Sequence, residues 1–336
     1  MPGRNFLVLR AKSWYTDNMP SLYVHTLFGY AVRDRLQGPA GASIRRHGAA
    51  FLAGLPGPDI YFYDRFPPPL LRPHQKRTGN ALHDAPAAEV FAALIAAARG
   101  NGSLSAHALG FLCHYALDAA AHPFVEASHR GLDHTRFEMQ LELPFCARMG
   151  SDLPSVPPDR LYAPPLAERG LLDALDALQR DLAQAVAGAG RPGVYARSFR
   201  NFRRAYALLY DPAARKQRLL RRFERLAGRR VGTLSGFLIA PAAAAGNDLF
   251  NESHAPWAAP WAPDVIRTES FFDLYGQALG EALALAPLLA DALAGGDDAR
   301  DGRLKFRRVE LSRHAHRDRQ VERADEDAVH AVHGAD

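Results

Sequence analysis

The stretch His114-Tyr-Ala-Leu-Asp118-Ala-Ala-Ala-His122-Pro123 sets three ionisable side chains four residues apart inside an apolar run, GFLCHYALDAAAHP. On a helix such residues share one face, so His114, Asp118 and His122 project into one volume. Pro123 disfavours helical geometry at the residue before it, and the pattern predicts a helix that ends at His122. A short turn then leads to a second helix with His134 and Glu138, again four apart. Three imidazoles and two carboxylates aimed at one apolar volume are costly unless compensated. A hydrogen-bonded core pair accounts for either pair taken alone. Both pairs together favour a divalent metal, since imidazole nitrogen and carboxylate oxygen are zinc ligands. His122 has a plainer alternative role as the cap of its own helix.

A chain of 336 residues, 48% hydrophobic and 23% charged, can bury a substantial core. The net charge of +5 does not by itself call for nucleic acid. Cys113 and Cys146 give no disulfide framework, and each is expected as a buried free thiol. Phe6-Leu7-Val8-Leu9 is too short for a secretory core. No stretch is expected to reach the apolar length of a membrane span, so the expectation is a cytoplasmic protein with no transmembrane segment. Met19 is an alternative start, because the patterned sequence begins just after it.

The periodicity places helices at 21–37 with Ser21 as N-cap, 42–54, 86–99 opened by His83-Asp84, and a central helix from Ser103. Asp59-Ile-Tyr-Phe-Tyr-Asp64 reads as an aromatic turn, and Phe66-Pro-Pro-Pro cannot be helix interior. Residues 150–165 are proline-rich and read as a linker or long loop. Further helices are expected at 166–189, 197–245 and 268–294. No repeat or strand-like alternation is present, so the class is all-α. The expected organisation is an N-terminal extension (1–18), one all-α domain (19–294) and a charged, disordered tail (295–336). Within the tail His314, His316, His330 and His333 share no persistent face. Arg191 to Arg230 is dense in arginine, with Asp211 and Glu224 as its only acids. It reads either as a peripheral surface for anionic membrane or phosphate, or as a solvated helix face; the second is favoured.

His25, Asp59 and His83 precede the central cluster. The order His25, Asp59, His83, His114-xxx-Asp118, His122, His134-xxx-Glu138 resembles the bacterial zinc-dependent phospholipase C family, distantly related to zinc-dependent single-strand nucleases. The resemblance is carried by MPSLYVHTLFG (19–29), GPDIYFYD (57–64), GNALH (79–83), GFLCHYALDAAAHPF (110–124) and HTRFE (134–138), and continues through NDLFNESHAPW and SFFDLYGQA. It implies a multi-helix, phospholipase C- or nuclease-like bundle around a cleft holding two or three Zn2+ ions. His83, His114 and Asp118 would hold one zinc. Asp118, His122, His134 and Glu138 would hold a second, with Asp118 bridging, and His25 with Asp59 a third. In the secreted phospholipases an N-terminal tryptophan helps bind the third metal, and no processing site provides one here. The Asp118-to-His122 spacing is also shorter than in those enzymes.

Two zinc ions about 3.5–4 Å apart activate water for in-line attack on phosphorus. The catalytic set implied is Asp59, Asp118 and Glu138, with Asp59 orienting or deprotonating the water. The expected substrate is a phosphoester, phospholipid-type first. Tyr61, Phe62, Tyr63, Trp257 and Trp261 are either cleft walls or ordinary packing residues. The rivals are an HD-type phosphohydrolase centred on His83-Asp84, a nuclease supported by 191–230, and a non-catalytic metal- or lipid-binding protein.

Overall fold

The computed structural model describes residues 21–64, 76–128, 134–229, 231–241 and 248–295. The helices in chain order are α1 (Leu22–Arg35), α2 (Gly38–Arg46), α3 (Gly48–Gly54), α4 (Lys76–Asp84), α5 (Ala87–Ala98), α6 (Gly102–Ser128), α7 (His134–Arg148), α8 (Pro158–Leu161), α9 (Pro164–Ala167), α10 (Leu171–Ala187), α11 (Val194–Leu209), α12 (Arg215–Leu226) and α13 (Phe271–Ala294). Turns of 3-10 helix cover Gly57–Tyr63, Leu153–Ser155 and Ser235–Phe237. Among the described residues no strand forms, and extended pairing is confined to the isolated bridges Tyr210–Ile239 and Trp257–Arg267. The fold is all-α, as the periodicity predicts. The expected N-terminal extension, the prolines after Phe66 and the tail histidines lie outside the described residues.

The centre is α6, a 27-residue helix covered by α3 on one side and α13 on another. Two glycines let α3 lie directly on its backbone. A Cβ at Gly54 would stand 2.2 Å from the carbonyl oxygen of His107, and one at Gly110 would stand 2.2 Å from that of Phe51. Neither position has room for a methyl group without separating the helices. The expected single helix at 42–54 is instead two, α2 and α3, meeting at His47.

Pro123 does not end the central helix; α6 continues through it to Ser128. Proline inside a helix costs about 3 kcal/mol, because it removes one amide donor and crowds the preceding turn. The turn beyond it carries Phe124 and Val125, both buried. Phe124 packs against Phe137, Trp257 and Phe271. Burying two such side chains contributes roughly 1.5–3 kcal/mol each, enough to offset the proline.

Other boundaries shift for local reasons. α6 begins one residue before Ser103, with the Asn101 side-chain oxygen accepting from the Leu104 amide at 3.1 Å. His83 closes α4 rather than opening α5. The arginine-rich region breaks into α11 and α12, where Asp211 caps α12 by accepting from the amides of Arg215 (2.9 Å) and Gln217 (2.8 Å). Residues 150–165 form short helical turns, with buried Tyr162 between α8 and α9 and its ring packed on Phe199 and Phe202. Cys113 and Cys146 are buried free thiols, as expected.

α13 is, by length and composition, apolar enough to cross a membrane, contrary to the expectation that no stretch is. Here it packs as a core helix on α6. Phe271, Leu274, Tyr275, Ala278, Ala282, Leu285 and Leu289 are buried at helical spacing, while Asp273 and Gln277 face outward. A capping box of Ser270 and Asp273 starts it.

Ser21 does not cap α1; its hydroxyl is buried without a hydrogen bond. The carboxylate of Glu142, buried on α7, does so instead. It accepts from the amides of Leu22, Tyr23 (2.7 Å) and Val24 (3.3 Å). Burial still pushes its acid up to about 8, against the pull of those amides. The contact bolts the start of α1, which carries His25, to α7, which carries Glu138. Glu142→Ala strands three helix-end amides and is expected to destabilise the chain by about 1–3 kcal/mol in denaturant titrations. Glu142→Gln, which keeps the volume and one acceptor oxygen, should lose less; equal losses would show that the cap needs both carboxylate oxygens.

Candidate metal centre

Five elements deliver the ionisable cluster. His25 comes from α1, Asp59 from the 3-10 turn, His83 from the last turn of α4, His114, Asp118 and His122 from α6, and Glu138 from α7. Asp118 is the hub. Its Oδ1 lies 3.2 Å from His25 Nε2. Its Oδ2 lies 3.1 Å from His114 Nε2, 3.5 Å from His122 Nε2 and 3.9 Å from His83 Nε2. Asp59 is a second focus, with Oδ1 3.0 Å from His83 Nε2 and Oδ2 3.8 Å from His114 Nε2. Glu138 Oε1 stands 3.8 Å from His122 Nε2. His134 starts α7, but its side chain lies outside the described residues.

The grouping differs from the expected one in one respect. Asp59 joins His83, His114 and Asp118, and these four offer ligand atoms all within 4.8 Å of one another. His25, expected beside Asp59, has Asp118 as its acid partner instead. The tight turn Gly57-Pro58-Asp59, rather than any helical spacing, brings Asp59 in, so no period in the sequence could signal it. Asp84 is exposed and takes no part in the four-residue group, which removes the basis for an HD-type centre.

The donor set fits a cation. His83 Nδ1 lies 2.8 Å from the Gly79 carbonyl oxygen, which fixes the proton on Nδ1 and leaves Nε2 as the basic nitrogen turned toward Asp59. That is the outer bond by which metal-ligating histidines are oriented. Phe62 stacks on the same ring at 5.7 Å. His114 is buried with neither ring nitrogen in a well-aligned hydrogen bond, and it is positioned by packing. His25 stacks on it at 4.7 Å. Gly57 lies against it at φ +53°, where a Cβ would stand 2.2 Å from its Cδ2. The His114 Nε2 faces the Asp118 and Asp59 carboxylates, the side from which a cation would take its lone pair.

The electrostatics are those of mutual stabilisation. Burial raises the Asp118 acid, yet His114, His122 and His25 outweigh it and hold the carboxyl well below its usual range. Burial lowers His25, yet Asp118, with Asp59 and Glu138, raises it overall. Burial likewise lowers His83, and Asp59 with Asp118 carries it up to about 9.

A cleft of about 200 Å³ opens on the cluster. His83, His114, Asp118 and His122 form its polar side, and Val90, Phe111, Tyr115 and Trp261 are among its apolar walls. Of the five aromatic residues considered as walls, Trp261 lines it. Tyr61 donates to Gln179, Tyr63 packs on Phe202 and Tyr206, Phe62 backs His83, and Trp257 donates to the Glu269 carbonyl. Gly57, Gly79 and Glu142 were not legible as site residues, because a carbonyl acceptor, a missing Cβ and a remote cap leave no local pattern.

Residues 24–188, just under half of the chain, match the family model described as zinc dependent phospholipase C. Every residue of the cluster falls inside that span. No curated protein and no solved structure matches the chain.

Two outcomes follow for the metal-free chain. His83 is raised from 6.5 to about 9, so its contribution to stability is complete below pH 6.5 and lost as pH rises through about 9. Thermal melts in chelator should fall across that window, and His83→Gln should flatten the fall; parallel slopes would assign it to other groups. Gly57→Ala must displace the His114 ring and strain a positive φ, and should cost roughly 1 kcal/mol or more in chemical unfolding. An unchanged midpoint would mean that the turn yields freely.

Proposed function

Residues 24–188 belong to the zinc-dependent phospholipase C family, and on that premise we propose that the chain hydrolyses the phosphodiester bond of a phospholipid-type substrate. The observation that carries this reading is the convergence of Asp59, His83, His114 and Asp118, the last three of which line an apolar cleft. Together with His25, His122, His134 and Glu138 they would hold two or three zinc ions, with Asp118 as the shared ligand. Bound zinc supplies Lewis acidity toward phosphoryl oxygens and activates water for attack.

The chain's own groups do the rest. Asp118 neutralises the surrounding imidazoles and keeps their Nε2 atoms turned inward. Asp59 orients the attacking water and takes its proton. Glu138 anchors the α7 side of the cluster through His122. Val90, Phe111, Tyr115 and Trp261 receive the glyceryl and acyl part of the substrate and keep bulk water from that side. Among the described residues lining the cleft there is no lysine or arginine, which favours a lipid over a polyanionic nucleic acid strand.

Elemental analysis of zinc per chain, on wild type and Asp118→Ala, tests the ligand set. Two or three ions are expected in the wild type, with more than one lost on removing the shared carboxylate. Hydrolysis of dispersed phospholipid should fall to background in the same variant, with helical content retained by circular dichroism. A wild type that takes up no zinc after reconstitution overturns the reading. Preferential cleavage of single-stranded DNA would keep the chemistry and change the substrate class.

A further inference from the structure

Helix α12, RKQRLLRRFERL, is inverted for a helix lying on a protein core. Its buried residues are polar. Gln217 and Glu224 face the molecule, and Glu224 accepts from the amides of Gly232 (2.8 Å), Leu234 and Ser235 (3.0 Å) and from the Ser235 hydroxyl. Leu220 is half-buried, and the helix's other three large apolar residues face away. Leu219, Phe223 and Leu226 are 69%, 54% and 88% exposed and, at spacings of four and three, form one outward stripe. Val231 and Leu234, on the turn that Glu224 holds, are also exposed. Arg215, Arg218, Arg222 and Arg225 flank this stripe and enter no ion pair among the described residues. The two acids of the region, Asp211 and Glu224, are both spent on backbone amides. A purely solvated face would carry the arginines without the leucines and phenylalanine.

We propose that α12 is a membrane-docking helix that seats its Leu219–Phe223–Leu226 stripe in the interface of an anionic phospholipid bilayer, with the flanking arginines on the headgroup phosphates. An apolar stripe of this width beside a basic flank is the chemistry of interfacial helices, and arginines attract anionic leaflets. The alternatives fit less well. A second copy of the chain, paired through the same face, would bring the arginines of both copies together. A nucleic acid backbone would meet the arginines but leave the apolar stripe facing phosphate and water.

The docking helix is joined to the cleft. α12 packs on the 3-10 turn Ser235–Phe237, which packs on α7. There the Arg136 guanidinium lies 4.8 Å from the centre of the Phe237 ring, two residues before Glu138. The segment lies outside the family-matched residues, so docking is a property of this chain's own C-terminal half. Its purpose rests on the phospholipid-hydrolase reading; its existence does not, because binding is measured without turnover.

The test is sedimentation of the purified full chain with phosphatidylglycerol–phosphatidylcholine vesicles and with phosphatidylcholine vesicles alone. Preferential binding to the anionic vesicles, weakened by salt, is expected. Leu219→Ser/Phe223→Ser/Leu226→Ser should weaken it more than about tenfold. Arg218→Gln/Arg222→Gln/Arg225→Gln should weaken it on the order of a hundredfold on anionic vesicles only. Neither set touches the cluster, so melting temperature, zinc content and turnover of a water-soluble phosphodiester should stay at wild-type values. Loss of all turnover in the wild type would sink the hydrolase reading and leave the binding result standing. Failure to bind anionic vesicles, or a serine variant that binds as well as wild type, overturns the proposal. So does a serine variant that turns a dimer into a monomer, or single-stranded DNA binding that needs the arginines but not the stripe.

Discussion

Asp118 is a carboxylate set among four imidazoles, and the surrounding structure is arranged to keep it there. Its two oxygens face His25, His114, His122 and His83 within 3.9 Å. A buried charge without partners is among the costliest groups a fold can contain, and buried imidazoles without one are little better. Each therefore depends on the other. The histidines hold the carboxyl ionised, and the carboxylate in turn raises His25 and His83. A divalent ion bound there would take over the same charge balance.

The scaffold serves that balance through contacts far less visible than the ligands. Glu142 ties the two helices that bring His25 and Glu138. The Gly79 carbonyl fixes the tautomer of His83. Gly57 leaves room for the His114 ring. Phe124 and Val125 carry α6 past a proline that would otherwise stop it near His122. Each acts at a distance from the chemistry, and each decides an orientation rather than supplying a ligand.

The sequence was legible where spacing maps onto one helix. His114, Asp118 and His122 at four-residue intervals do share a face, and the 3.6-residue period located most of the long helices. It was misread where tertiary burial outweighs a local rule, as at Pro123, and where a cap comes from a distant residue, as with Glu142 in place of Ser21. The partnership of Asp59 with His83 and His114 depends on a turn whose direction no period encodes. The arginine-rich region was legible as basic, but not as inverted, because composition does not say which face a helix turns to its neighbours. Only the hydrogen bonds that Glu224 and Asp211 accept from backbone amides settle that.

The backbone contact of α3 with α6 also bears on how a chain like this would lose its ionisable cluster in descent. Gly54 lies three residues before Gly57, and Gly110 lies one helical turn before His114. A single added methyl group at either must part the two segments that place Asp59 against His114. A descendant carrying it would still show every histidine and every acid in its sequence, yet hold them apart. Counting ligand residues among natural variants would therefore overstate the number of working copies, and the earliest mark of decay would be an alanine where no chemistry is performed.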